Sequence, residues 1–153
     1  MFRMTLVALA LAAGPVAAET MDAAAIGIGM SDNEVTQVAE NHIIMKTESL
    51  YEAFDTEGPF AGASGECFGA AEMKDGAVTG SGICVFDVEN GETAVVDWQM
   101  NGLGEDGATT GEWTVTGGNG AWATASGGGA FSNLTDPETG EFENNITGEV
   151  TFE

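Results

Sequence analysis

Two cysteines, Cys67 and Cys84, flank the dipeptide Asp75-Gly76 symmetrically, one eight residues before the aspartate and the other eight after the glycine. Asp-Gly suits the positive φ angles at both central positions of a type I′ hairpin turn. A two-residue loop there closes on Lys74 and Ala77, so the numbers of opposed residues sum to 151. Cys67 and Cys84 satisfy that sum and face each other directly. They fall at a non-hydrogen-bonded position, where Cα atoms approach to about 4.5 Å, a distance that a disulfide bridges. Turn chemistry and cysteine position therefore agree on an antiparallel ribbon over residues 65–73 and 77–88. A chain pinned this way is committed to β structure at its centre.

Asn90-Gly91 offers a second turn of the same kind, leading to a strand over residues 92–101. Read as another two-residue loop, it makes opposed residues sum to 181. Phe68, Ile83 and Trp98 then share one row, and Glu66, Val85 and Val96 the next, with Ala94 and Met100 extending the same face. The other face carries the disulfide, Phe86, Val95, Asp97 and Gln99. On this alignment the Trp98 face is the more apolar and is expected inside, with the disulfide outside.

Strand signals recur along most of the chain, broken by Gly, Pro, Asn and Asp. Residues 41–54 place Ile43, Met45 and Tyr51 on one face and His42, Lys46, Glu48 and Glu52 on the other. Residues 112–116 carry Trp113 and Val115 on one face, and short strands are expected at 121–125 and 129–134. Residues 141–152 alternate most regularly, with Phe142, Ile146, Val150 and Phe152 opposite Glu143, Asn145, Glu149 and Thr151. This patterning predicts an all-β domain, an antiparallel barrel of about eight strands with one hairpin disulfide. The barrel is expected over residues 41–153. Residues 19–40 read as a lead-in, where the Ser31-x-x-Glu34 spacing of a capping box allows a short helix to about Glu40.

Residues 1–18 have the layout of a secretory signal peptide. Arg3 is followed by a short apolar run, Pro15, and small residues before Glu19, which predicts cleavage after Ala18. The expectation is a periplasmic or secreted protein of 135 residues, one domain, with no membrane insertion once the leader is removed. Export permits the disulfide. Without Arg3, two basic residues, Lys46 and Lys74, stand against 25 acidic ones, a net charge of −23. Such a field repels nucleic acid and anionic membrane, so neither is an expected partner. The acids are spread along the chain, as on a solvated surface, rather than clustered as cation ligands.

Residues 111–127, GEWTVTGGNGAWATASG, resemble the G-x-W-x-x-x-G-G-T-G-K-[FY]-x-G-[AI]-x-G stretch of allene-oxide-cyclase-like and dirigent-like barrels. Asn119 stands where Thr is usual and Ala121 where Lys is usual. Gly80-x-Gly82-x-Cys84, with Asp87 and the Glu89-Asn90-Gly91-Glu92 turn, looks like small exported bacterial members of that class. The resemblance implies an eight-stranded calycin-type barrel. It transfers no catalytic residue.

Other motifs carry little chemistry. Gly118-x-Gly120-x-x-Ala123 lacks the βαβ setting of a dinucleotide fingerprint. The acidic run from Asp87 to Glu92 has the wrong spacing for a calcium loop and reads as a hairpin turn. A single histidine, His42, on a polar face gives no transition-metal site. No metal or other cofactor is expected, and no catalytic residue is named. Asn133-Leu134-Thr135 and Asn145-Ile146-Thr147 are chance sequons in a chain rich in Asn and Thr. The candidate site is an interior group of Tyr51, Glu66, Phe68, Trp98 and Trp113, lining a cavity for a small apolar or aromatic ligand. Glu66 among aromatic rings would have a raised pKa and act as an acid or base. The alternatives are a cyclase or stereochemistry-guiding enzyme, and an interaction module with a solid core.

Overall fold

The computed structural model describes residues 17–153, so the predicted signal peptide lies outside the described residues except for its last two positions. Nine strands follow one another: β1 (Glu19–Asp22), β2 (Ala25–Ala39), β3 (His42–Asp55), β4 (Ser64–Lys74), β5 (Ala77–Asp87), β6 (Thr93–Leu103), β7 (Thr109–Gly118), β8 (Ser126–Thr135) and β9 (Glu141–Phe152). Each strand from β2 to β9 pairs antiparallel with the next, and β9 returns to pair with β2, closing an eight-stranded barrel. β1 adds to β9 in the register that β2 continues, Asp22 opposite Glu149 and Ala25 opposite Ile146. The two are one strand interrupted at residues 23–24. Closure leaves the barrel strands no free edge along most of their length.

Residues 19–40 are thus part of the barrel rather than a lead-in. The Ser31-to-Glu34 segment is a strand and not the short helix its spacing suggested. The reason lies just upstream, where buried Ala25, Gly27 and Gly29 alternate with exposed Ile26, Ile28 and Met30, a period of two that a helix cannot use. Past Met30, β2 keeps only β3 as a neighbour, and that hairpin runs on beyond the barrel rim.

The central hairpin forms as the sequence predicts. Asp75 and Gly76 take φ values of 51° and 83°, and every opposed pair from Lys74–Ala77 to Ser64–Asp87 sums to 151. Cys67 and Cys84 are disulfide-bonded, their Cα atoms 4.0 Å apart.

The next hairpin departs from expectation by one residue, with large consequences. Its loop has three residues, Glu89, Asn90 and Gly91, and Val88 N–H donates to Glu92 O at 2.9 Å. Asn90 and Gly91 both adopt left-handed φ, 68° and 73°. Opposed residues of β5 and β6 therefore sum to 180, with Gly82 facing Trp98 and Cys84 facing Val96. A one-residue slip moves every side chain of a strand to the other face. Ala94, Val96, Trp98 and Met100 consequently join the disulfide face, and that face is the inside. Cys67 and Cys84 are buried, whereas Phe68 is 51% exposed and Glu66 lies on the outer surface. The expected inside–outside assignment of this ribbon is reversed.

Two further departures shape the ends. The strand expected near 121–125 is a 3-10 turn, Gly120–Ala123, which Gly120 enters at φ 57°. It drives Trp122 into the barrel end, where its ring centroid is 5.5 Å from Phe60 and 5.1 Å from Phe152. Phe60 comes from the 56–63 connection and is 2% exposed. These three rings plug that end. In β3, Tyr51 faces Gly29 and Ala53 faces Ile28, so Glu52 is bulged out and Tyr51 and Phe54 both point inward.

Glycines on β4 and β5 make the space that Trp98 fills. A methyl group added at Gly82 would overlap both the Trp98 ring and the Phe68 carbonyl oxygen, whereas one added at Gly117 would meet nothing. Gly82→Ala is expected to destabilise the barrel by about 1–3 kcal/mol. Gly117→Ala should stay within about 0.5 kcal/mol of the parent. Urea unfolding of the two variants measures the difference, and equal stabilities would refute the packing of Trp98 over β5.

Candidate ligand-binding cavity

Inward residues do not fill the barrel. A cavity of about 640 Å³ remains, within the range of small-molecule sites. Its lining reaches Gly107 in the β6–β7 loop, residues 136–140 in the β8–β9 loop, and Ser31, Asn33 and Val35 on the outer half of β2. The cavity therefore opens at the end opposite the Phe60–Trp122–Phe152 plug. Phe54, Phe86, Val96, Trp98, Trp113 and the disulfide form its apolar walls.

Aromatic packing holds Tyr51 at one point of the wall. Its ring stacks on Phe54, 5.2 Å between centroids and 5° between planes, and meets Phe86 and Phe142 edge-on at 5.3 Å and 4.6 Å. Gly27 on β2 permits this, because a Cβ there would lie 2.8 Å from both the Tyr51 and Phe54 rings. Trp113 is fixed by its indole N–H, which donates to Thr147 O at 3.1 Å. Trp98 stands beside it as its direct cross-strand partner.

Against these walls stands one buried polar pair. Asn144 Nδ2 donates to the Tyr51 phenol oxygen at 2.7 Å. Tyr51 is 6% exposed and Asn144 7%. Burial pushes the Tyr51 pKa up to about 12, outweighing the amides of Asn144 and Asn133, which favour the phenolate. The phenol is neutral at physiological pH and keeps its own proton to donate. Asn144 Oδ1 has no hydrogen-bond partner among the described residues. An unpaired buried carbonyl costs about 1–3 kcal/mol.

Charge is arranged outside the cavity. Asp32, Asp136 and Glu138 stand at its mouth, and no Lys, Arg or His lines it. Lys46 pairs with Glu48 at 2.9 Å, and His42 Nε2 lies 2.7 Å from Glu72. No group of three or more His, Cys, Asp or Glu is placed to hold a metal among the described residues.

Of the five residues expected in the cavity, Tyr51, Trp98 and Trp113 line it. Phe68 and Glu66 do not. They sit on the outer face of β4, because Cys67 between them points inward. A carboxylate in contact with water there has no aromatic enclosure, so the acid–base role imagined for Glu66 loses its setting. Sequence reasoning missed Asn144, although parity with Phe142 and Ile146 on β9 places it inside. It also passed over Asn133, which lies opposite Asn144 in the β8–β9 pairing. No protein-family model matches the chain, and neither does any curated protein.

Tyr51 is the sole tyrosine, so its ionisation is directly visible. Ultraviolet titration of the folded protein is expected to show the phenolate appearing near pH 12, against about 10 in denaturant. Because the folded value is the higher, the Tyr51 contribution to stability should be constant below pH 10 and decline as pH rises from 10 to 12. A folded-state midpoint at 10 would show Tyr51 to be solvated.

Proposed function

We propose that this protein is an exported binding barrel that holds a small, uncharged apolar or aromatic molecule. The observation that carries this reading is the cavity itself, about 640 Å³, open at one end and walled by aromatic rings. A solid-core interaction module would not keep such a space, since protein interiors otherwise pack to few voids larger than water. The absence of any cation from the lining, together with the acidic mouth, disfavours carboxylate or phosphate ligands. An enzyme of cyclase type lacks support, since Glu66 lies outside and the neutral Tyr51 phenol is a donor rather than a base. Membership of the allene-oxide-cyclase-like and dirigent-like class remains part of the proposal, resting on the 111–127 stretch and compatible with the closed eight-stranded order. Export is supported by the Cys67–Cys84 disulfide and the leader-like first eighteen residues. No helix among the described residues is long and apolar enough to cross a membrane.

Nile red, a neutral apolar fluorophore, is expected to bind saturably with enhanced emission. Thr47→Trp, which puts a large ring among the lining residues of β3, should weaken that binding at least about tenfold with the circular dichroism unchanged, as expected when a pocket is filled sterically. Phe68→Ser on the outer face should leave it within about twofold, since scattered surface residues carry little binding energy. The opposite pattern, loss in Phe68→Ser alone, would place the dye on the outer surface and refute the cavity reading.

A further inference from the structure

Hydroxyls of Thr47, Ser49 and Thr109 line the cavity beside its aromatic walls, and one buried polar pair there has a definite hydrogen-bonding sense. The Tyr51 phenol accepts from Asn144 Nδ2 at 2.7 Å, which leaves the phenol proton free. The second amide atom, Asn144 Oδ1, is buried without a partner. Asn133 stands across from Asn144; its Oδ1 accepts from Thr135 Oγ1 at 2.9 Å, and its amide, like that of Asn144, faces the Tyr51 oxygen and favours the phenolate. The phenol proton and Asn144 Oδ1 stand side by side, joined through a single amide, and neither has a hydrogen-bond partner among the described residues.

We propose that Tyr51 and Asn144 form a polar anchor, and that the ligand is an uncharged molecule with an apolar ring body and one hydroxyl group. The hydroxyl oxygen accepts from the Tyr51 phenol, and its proton goes to Asn144 Oδ1. A ketone or ether satisfies only the phenol and leaves Oδ1 buried and unpaired. A carboxylate likewise brings no proton for Oδ1 and carries a charge that no lining residue neutralises. The ring body lies against Phe86, Trp98 and Trp113, where apolar area is removed from water. This inference rests on the cavity being a binding site, and it adds the chemical class that the site selects.

The test compares 2-naphthol with its methyl ether, 2-methoxynaphthalene, by calorimetric titration of the full mature protein. Hydrophobicity alone favours the ether, because it buries an extra methyl group and no polar hydrogen. The anchor predicts the reverse, a preference for 2-naphthol of about tenfold or more, the usual weight of a satisfied buried hydrogen bond. Tyr51→Phe and Asn144→Leu should each cut that preference to about twofold or less, with the ether still bound. The preference in the parent requires no variant, so a folding defect in Asn144→Leu leaves the test intact. Equal binding of the two compounds by the parent would overturn the anchor while leaving the cavity reading in place. A preference that survives in Tyr51→Phe would also overturn it, since the selection would then be steric. If the parent binds neither compound nor Nile red, the anchor and the cavity reading fall together.

Discussion

The barrel depends on how three consecutive strands are aligned by two short turns. Asp75-Gly76 fixes β4 against β5, and the disulfide holds that alignment covalently. The Glu89–Gly91 loop then fixes β6 against β5 with one residue more than a minimal hairpin. Side chains alternate along a strand, so loop length alone decides whether Trp98 stands with Phe68 or with Cys84. It stands with Cys84. Ala94, Val96, Trp98 and Met100 then share a face with Cys67, Ala71, Val78 and Phe86, and no charged side chain falls on that face from β5 or β6. The outer face receives Glu66, Glu72, Asp87 and Asp97.

Space follows from the same alignment. The inward positions of β4 and β5 are largely Gly, Ala and Cys, and these small residues admit Trp98 and Phe86 without filling the barrel. Larger rings gather at one end, where Phe60 and Trp122 arrive from connections rather than strands and meet Phe152. The other end lacks such a plug, and the cavity opens there. The extreme acidity of the chain is confined to the exterior and the mouth. The interior carries no cation, and its polar groups are neutral: the Tyr51 phenol, the amides of Asn133 and Asn144, and the hydroxyls of Thr47, Ser49 and Thr109.

Much of this was legible from local chemistry. The disulfide, the β4–β5 register, the inward row of β3 and the alternation of β9 all follow from turn dipeptides and period-two patterning. What escaped has physical causes. Asn-Gly permits two left-handed residues in a two-residue or a three-residue loop, and the choice between them rests on tertiary packing of β6. The apolar content of Phe68, Ile83 and Val85 made the wrong face look like a core. Over residues 25–30 of β2 the inward residues are Ala and Gly, so the large apolar groups there, Ile26, Ile28 and Met30, point outward and mask the strand's role. Trp122 sits in a 3-10 turn that no period reveals. Asn144 was hidden by its polarity, since an amide on a core face is read as noise until its partner Tyr51 is seen, 93 residues away in the chain.

The central claim is that small apolar molecules enter on the disulfide face of the barrel. Nuclear Overhauser contacts between bound 2-naphthol and assigned side chains test it most directly. The account predicts contacts to Tyr51, Trp98 and Trp113 and none to Phe68 or Val85. Contacts to Phe68 and Val85, with none to Tyr51, would contradict it.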